Sequence, residues 1–556
     1  MMTFRGAPDA SVLGLMRPYA PLIAGCAVLG GLGGLSVAGL LAVVNRGLHA
    51  GPDQGSGLVL AFAGLCILAL VGSIGSDIGT NFVGQRIIAA LRKALAARIL
   101  AAPIEALERY RSHRLIPVLT HDVDTISDFA FVLSSFAVSL TISIGCLIYL
   151  AMLSLPMFAV VALAVVIGVA VQAWAQVRGV LGFHAARDGE DRLQKGYRAI
   201  AEGAKELRIH RGRRRRIYAG QLEATIDWIC EKQISAITLF VSARAFGTAL
   251  FFLVIGLVLG LRQWVWTDME ASAASGFVLV LLYMRGPVDQ IISALPAMSR
   301  TLVALRRVND LTAQFSNSEH GLLGSLHSTE PDASKQIRSI TLRQASYAFP
   351  ATGAAAAFVL GPVDLEIQAG EIVFVVGENG SGKTTLIKLL LALYEPASGG
   401  LLLDGVPVTA ETRDAYRQLF TTVFSDYYLF EDLVGSDVDV PPEANRYLER
   451  LEVAHKVSVN EGVLSTVDLS TGQRKRLALL NAWLEGRPVL VFDEWAADQD
   501  PTFRGIFYRE LLPDLQRLGK TIIVISHDDR YFDAADRVVR IAGGRIVAEE
   551  RVAATA

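Results

Sequence analysis

The stretch EIVFVVGENGSGKTTLIKLLLALY, Glu371 to Tyr394, runs an apolar β-rich segment into a glycine-rich turn and then into a helical pattern. A strand over EIVFVV, a loop at Gly377 to Thr384 and a helix over LIKLLLALY form a setting in which successive backbone N–H groups curl round a phosphate chain. Lys383 would bring positive charge to the β- and γ-phosphates and Thr384 an oxygen to Mg²⁺, while the helix N-terminus adds a favourable dipole. Gly377, Glu378, Asn379, Gly380, Ser381, Gly382, Lys383, Thr384 and Thr385 are therefore expected to line the binding site for a nucleotide tail. A glycine-rich turn alone is often only a turn. The full spacing in this setting argues against that reading.

Downstream, VLVFDEWAADQDP at Val489 to Pro501 sets an apolar run against two adjacent acids. Asp493, at the end of a buried strand, is expected to reach Mg²⁺ through water. Glu494 is placed to orient or deprotonate a water attacking the γ-phosphate. The bland alternative, a pair of exposed surface acids, fits poorly with the preceding VLVF. Between these motifs, LSTGQRKRLALL at Leu469 to Leu480 puts Ser470 and Gly472 at a helix start. That is a second anion-binding N-terminus with no lysine of its own for the phosphate tail, so it would face the glycine-rich loop of a second copy of the chain. Short β-rich runs at 371–376, 489–492 and 521–526 alternate with helical stretches, which predicts a largely parallel sheet flanked by helices.

Before this region the character changes. The chain has 556 residues, of which 52% are hydrophobic and 19% charged, and the apolar ones crowd into the first 300 or so positions. Six segments are long enough to cross a bilayer as helices of about 20 residues: roughly 19–44, 58–80, 129–152, 155–177, 236–261 and 272–295. The first is too long for a signal-peptide core and is expected to be retained, with too few residues ahead of it for an accessory domain. Arg86, Arg92, Lys93, Arg98, Arg109, Arg111 and Arg114 lie between the second and third spans. Lys205, Arg208 and RGRRRR at 211–216 lie between the fourth and fifth. Such an excess of basic residues marks both long loops, and with them both chain ends, as cytoplasmic. QRIIAALRKALAARIL repeats its apolar residues every three or four positions, so membrane helices should continue into these loops. The basic run at 211–216 reads best as a solvated, headgroup-facing turn.

From Leu311 to Gln336 the periodicity stops and Ser, Asn, Gly, His and Pro accumulate. The expected organisation is a membrane domain over 1–310, a linker over 311–336 and a nucleotide-binding domain over 337–556. A net charge of −2 gives no general attraction to nucleic acid. Four scattered cysteines, Cys26, Cys66, Cys146 and Cys230, fit neither a disulfide framework nor a zinc site.

In motif order the chain resembles an ABC transporter, and the likeness covers the whole soluble region. The phosphate loop, the signature-like LSTGQ and the DE pair stand in the family's sequence. VISHDD places His527 at the switch position that contacts the γ-phosphate. AADQDP places Asp500 at the aspartate linking two ATP sites across a dimer. In ASYAF the resemblance implies an adenine-stacking aromatic, for which Phe349 is preferred, with Tyr347 buried as core. It also implies that Ser470, Thr471, Gly472 and Gln473 meet the partner's nucleotide. Two departures stand out. Thr471 replaces the usual glycine, and VFSDYYLF offers Ser425, followed by Asp426, where a glutamine normally joins Mg²⁺ to the membrane domain. Water or Asp426 are alternatives to Ser425 there.

The combination FSDYYLF, LSTGQRKRLALL, DEWAADQDP and ISHDDRYF is similar to a narrower branch. Its members are half-transporters associated with peptide siderophores, lipopeptide toxins and microcin-type peptides, and there a Ser or Thr commonly replaces that glutamine. The resemblance implies a homodimeric exporter in a bacterial inner membrane. It would bind ATP and Mg²⁺ and move a cyclic, lasso or siderophore-like peptide, with a periplasmic or outer-membrane partner as a further possibility. A lipid flippase and a regulatory or channel-like protein share the same motifs and are the alternatives. Asp77, Arg244 and Arg285 lie inside apolar spans, each roughly 20–30 Å from the outer end at about 1.5 Å per residue. They are expected to share a level, either lining an inward-facing cavity for a polar peptide, or forming a structural ion pair, or snorkelling to the interface.

Overall fold

The computed structural model describes residues 14, 17–49, 55–110, 112–265, 270–315, 319, 321–322, 337–349, 358–433, 443–460 and 462–552. Most of the expected linker 311–336 lies outside them, as do parts of two expected loops, 50–54 and 266–269. Contacts divide the chain into two units. One comprises Met1–Ala96 with His113–Ala313, the other Ala97–Ser112 with Gln314–Ala556.

Among the described residues the first unit is helical, with six helices long and apolar enough to cross a membrane. They are built around α1 (Ala20–Gly47), α2 (Gly55–Leu100), α4 (Val123–Leu153), α5 (Leu155–Glu202), α6 (Ala224–Trp264) and α7 (Ala271–Gln314). At 46 and 48 residues, α2 and α5 are each about 70 Å long at ~1.5 Å per residue, more than twice the hydrocarbon thickness. Where α1 and α2 cross, Gly33 meets Gly72 so closely that a Cβ on Gly72 would lie 2.7 Å from the Leu29 carbonyl oxygen. Such close approach is how helices gain packing where lipid offers no hydrophobic drive. Outward-facing Val59, Leu60, Ile78 and Leu163 are more than 60% exposed, the pattern of a lipid-facing surface. The apolar run of α7 does not end at Leu311. The helix reaches Gln314, with Leu311 and Phe315 buried.

The second unit is an α/β domain. Its six-stranded sheet has the order β12-β11-β3-β10-β9-β6, where β3 is Ile372–Val376, β6 Phe420–Val423, β9 Val489–Asp493, β10 Thr521–Ile525, β11 Arg537–Ala542 and β12 Arg545–Arg551. All pairs are parallel except β11 with β12. Alternate residues of β3 feed opposite cores: Phe374 packs with Phe492, Trp495 and Phe507, whereas Val373 and Val375 pack with Leu386, Val491 and Ile523. Burial on both faces explains why these strands read as unbroken apolar runs. A second, antiparallel sheet, β2-β1-β4-β5, was not anticipated. It is made of β1 (Ser339–Ala348), β2 (Val359–Gln368), β4 (Ser398–Leu403) and β5 (Val406–Pro407). The short helix α3 (Ile104–Tyr110) belongs to this unit too, although the sequence places it within the membrane domain. Ile104 packs on the sheet core and Glu108 bonds to Lys388 and Tyr394.

Candidate nucleotide site and membrane cavities

The loop after β3 turns into α8 (Lys383–Leu390) at Gly382, whose φ of 106° lies in the left-handed region that side chains resist. The first-turn N–H groups of α8 have no partners within the helix. Lys383 is buried and folds back on the loop, donating to the carbonyls of Gly377 and Glu378 at 2.9 Å each. Burial lowers its pKa, against the upward pull of Glu494 and Asp493. The Ser381 hydroxyl oxygen is buried without a hydrogen-bond partner among the described residues. Free N–H groups, a buried ammonium and an unmatched hydroxyl together suit a phosphate chain.

Asp493 ends β9 at 1% exposure. Burial pushes its carboxyl above the ordinary aspartate value and neighbouring Glu494 adds to the rise, while the Thr384 hydroxyl and the Ser425 backbone N–H oppose it. The Thr384 hydroxyl lies 3.4 Å from the Asp493 carboxylate. A hydroxyl beside one carboxylate suits a hard, oxygen-seeking cation that takes its other ligands from phosphate and water. Ser425 therefore stands against Asp493 through its backbone, and the charge of Asp426 is also felt there.

Glu494 adopts φ 50°, a conformation costing a side-chain-bearing residue roughly 1–2 kcal/mol. Its carboxylate shares a 2.8 Å hydrogen bond with His527 Nε2, and both line a cavity of about 300 Å³. A residue that sequence reasoning passed over helps hold the turn. Lys475, 2% exposed, pairs with Asp498 at 2.7 Å and donates to the Glu494 carbonyl at 3.0 Å. The Trp495 indole N–H in turn donates to the Lys475 carbonyl at 2.8 Å. Only its position inside LSTGQRKRL, one residue from the buried Arg476, could have hinted at this.

Lys475 sits on α9 (Thr471–Glu485). Ser470 is the N-cap, and with Gln473 it forms a capping box, so LSTGQ is physically a helix-start device. Ser470 and Thr471 are exposed and Gly472 is half-buried. A Cβ on Gly472 would come within 2.8 Å of the Asp498 carbonyl, while Thr471 has the space the usual glycine would leave. Asp500 caps the following helix through the Phe503 N–H and pairs with Arg476 at 2.7 Å. The Phe503 bond is the main cause of its lowered pKa. Tyr347 is buried and stacks on Tyr394, and Phe349 is half-buried at the edge of both rings. Glu108 accepts from the Tyr394 hydroxyl at 2.5 Å and pairs with Lys388 of α8 at 2.7 Å, a second arrangement the sequence did not reveal.

In the membrane unit the three intramembrane charges separate. Asp77 lines one cavity, of about 360 Å³. Arg244 and Arg285 line another, of about 390 Å³, with Asp289 among walls that are otherwise mostly apolar. A single cavity shared by all three, one of the alternatives the sequence left open, is therefore not what these residues form. Arg244 forms an ion pair with Asp289 at 3.5 Å, and Arg285 lies over the Phe252 ring at 5.8 Å.

The profile described as "ABC transporter" matches residues 360–497, and that of the "ABC transporter transmembrane region" matches 21–179. The chain is 34% identical to "ATP-binding protein SyrD" of Pseudomonas syringae pv. syringae, over 98% of both chains. It is 27% identical to an "ATP-dependent lipid A-core flippase" of Chromobacterium violaceum, over 88% of this chain and 84% of that one. A solved bacterial Atm1-family ABC exporter with ATP bound superposes with a TM-score of 0.72 at 17% identity, covering 96% of this chain and 95% of that one. That likeness speaks to fold alone.

Proposed function

The chain belongs to the ABC transporter family, and from that premise we propose that it is a homodimeric peptide exporter of a bacterial inner membrane. It is a multi-pass membrane protein and an ATP-driven exporter whose ATPase is coupled to transport. The observation that carries the site assignment is the buried Asp493 carboxylate beside the Thr384 hydroxyl, next to the hydrogen-bonded Glu494 and His527. In this reading Lys383, Thr384 and the loop from Gly377 to Thr385 hold the phosphates, and Phe349 stacks on adenine. Thr384 and Asp493, with Ser425 nearby, would hold Mg²⁺, which would supply positive charge to offset that of the phosphates. Glu494 takes the proton of the attacking water, and His527 both orients Glu494 and reaches the γ-phosphate. Ser470 to Gln473 and Asp500 serve the site shared with the partner subunit.

ATP can drive export only by binding the closed dimer better than the open one. Closure would then turn the membrane cavity outward, and hydrolysis would reset it. Basic loops between the second and third and the fourth and fifth spans support a cytoplasmic nucleotide-binding domain. The peptide cargo rests on the likeness of FSDYYLF, LSTGQRKRLALL, DEWAADQDP and ISHDDRYF to peptide-exporting half-transporters. A lipid or amphiphile flippase is the second reading, favoured by the lipid A-core flippase relatives. Proteoliposomes separate the two. ATP-dependent uptake of cyclic peptides into inside-out vesicles, with no movement of labelled lipid, is the expected result; lipid movement alone would transfer the assignment to the flippase.

A further inference from the structure

The Asp77 cavity is chemically unlike the apolar cavity lined by Arg244 and Arg285. It lies between α2, α4 and α7, and Ser73, Asp77, Ser135, Ser139, Tyr283 and Gln290 give it polar walls. Ser134 donates to the Asp77 carboxylate at 2.6 Å, and Ser139 donates to the Gln290 amide oxygen at 2.5 Å. Helix α7 sorts the charges. Tyr283, Gly286, Pro287 and Gln290, spaced three and four apart, face this cavity, whereas Arg285 and Asp289 face the apolar one. Among the described lining residues there is no Lys, Arg or His. A single hydroxyl donor cannot balance a carboxylate at membrane depth, and intramembrane acids normally find a positive partner.

We infer that the Asp77 cavity recognises a cationic group, an ammonium or guanidinium, carried by the transported molecule. The inference rests on the export reading and narrows its substrate class. The acid supplies the charge, and Tyr283 and Gln290 supply polar atoms around it. An ammonium presents several donors to such a site, an anion presents none, and a neutral hydroxyl only one.

The test measures binding of radiolabelled n-octylammonium to the full-length protein in nanodiscs without nucleotide, in competition with n-octanol and n-octyl sulfate, which share its chain and differ only in the head. Octylammonium is expected to bind at least about tenfold more tightly than either competitor, as a charge-assisted bond requires. Asp77→Asn should erase that preference and Asp77→Glu should keep it. Ser134→Ala, which frees the carboxylate from its donor, should tighten octylammonium by about threefold, the worth of one modest hydrogen bond. Because the two substitutions move affinity in opposite directions, misfolding cannot imitate the pair. Absent or head-independent binding, preference for the sulfate, or an undiminished preference in Asp77→Asn overturns the proposal. Nucleotide-free binding is independent of transport. Failure of export alone would show as octylammonium binding with no ATP-dependent peptide uptake, and failure of this inference alone as uptake without charge preference.

Discussion

Two acids in this protein stand against apolar sequence, Asp493 at the end of β9 and Asp77 within α2, and the structure treats them differently. Asp493 is 1% exposed and is surrounded by groups that answer it: the Lys383 ammonium, the Thr384 hydroxyl and the Ser425 N–H. Asp77 is half-buried, receives one hydroxyl from Ser134 and faces a polar cavity without a basic lining residue. The first acid is held within a prearranged charge network. The second awaits its counter-charge. A buried carboxylate is thus a matter of local pairing in the α/β unit and of ligand recognition in the helical one.

The sharpest way to break this contrast is Glu494→Gln, which removes the proposed base while keeping its shape. Turnover should fall by about 10²–10⁴-fold with ATP still bound, measured as phosphate release against retained nucleotide. Rapid turnover would show that the prearranged network is not the hydrolytic one. The Mg²⁺ requirement comes next. Because the pKa of Asp493 is raised, the folded state holds the proton more firmly than the unfolded chain does. Stability from the protonated form is therefore present at low pH and lost as pH rises through the raised value. Metal binding has the opposite sign, since it needs the ionised acid. The Mg²⁺ concentration for half-maximal nucleotide binding should climb as pH falls toward that value, by roughly tenfold per unit below it.

Lys475→Met tests whether the network extends beyond the residues that would touch nucleotide. Losing the bond to the Glu494 carbonyl should lower kcat about tenfold, ~1.4 kcal/mol in the barrier, with the KM for ATP unchanged and Lys475→Arg partly restoring the rate. A change confined to KM would deny Lys475 a positioning role. Glu108→Gln releases Lys388 and Tyr394 from one carboxylate. It should leave ATP hydrolysis within about twofold and reduce peptide moved per ATP by a few-fold, the scale of a pair worth ~1 kcal/mol. The smallest effect is expected at Arg244. Its pair with Asp289 is long and its side chain 68% exposed, so Arg244→Ala should leave peptide uptake unchanged within error. A large loss would return Arg244 to the cargo site.

The motifs of the α/β unit were legible because each has a local mechanism. A glycine-rich turn between strand and helix, an apolar run ended by acids and a serine-led helix start are short-range arrangements that the chain specifies within a few residues. The six spans were legible for a similar reason, since twenty apolar residues admit few other solutions in lipid. The antiparallel sheet was missed because β1 pairs with β4 across a long separation and carries register shifts against both of its neighbours that break a simple alternation. The grouping of α3 with the second unit was missed because a short helix with mixed polarity gives no sign of which core it joins.

By itself, then, the sequence determined the order of membrane helices and ATPase motifs, and it supplied the side chains proposed for phosphate, metal and base chemistry, since both depend on residue type and near-neighbour spacing. Tertiary structure alone decided that Lys475 braces Glu494, that Glu108 grips α8, and that Asp77 and the two intramembrane arginines line different cavities. These relations join residues far apart in the chain, where the direction a helix face presents, and the partner it meets, follow from packing and not from local pattern.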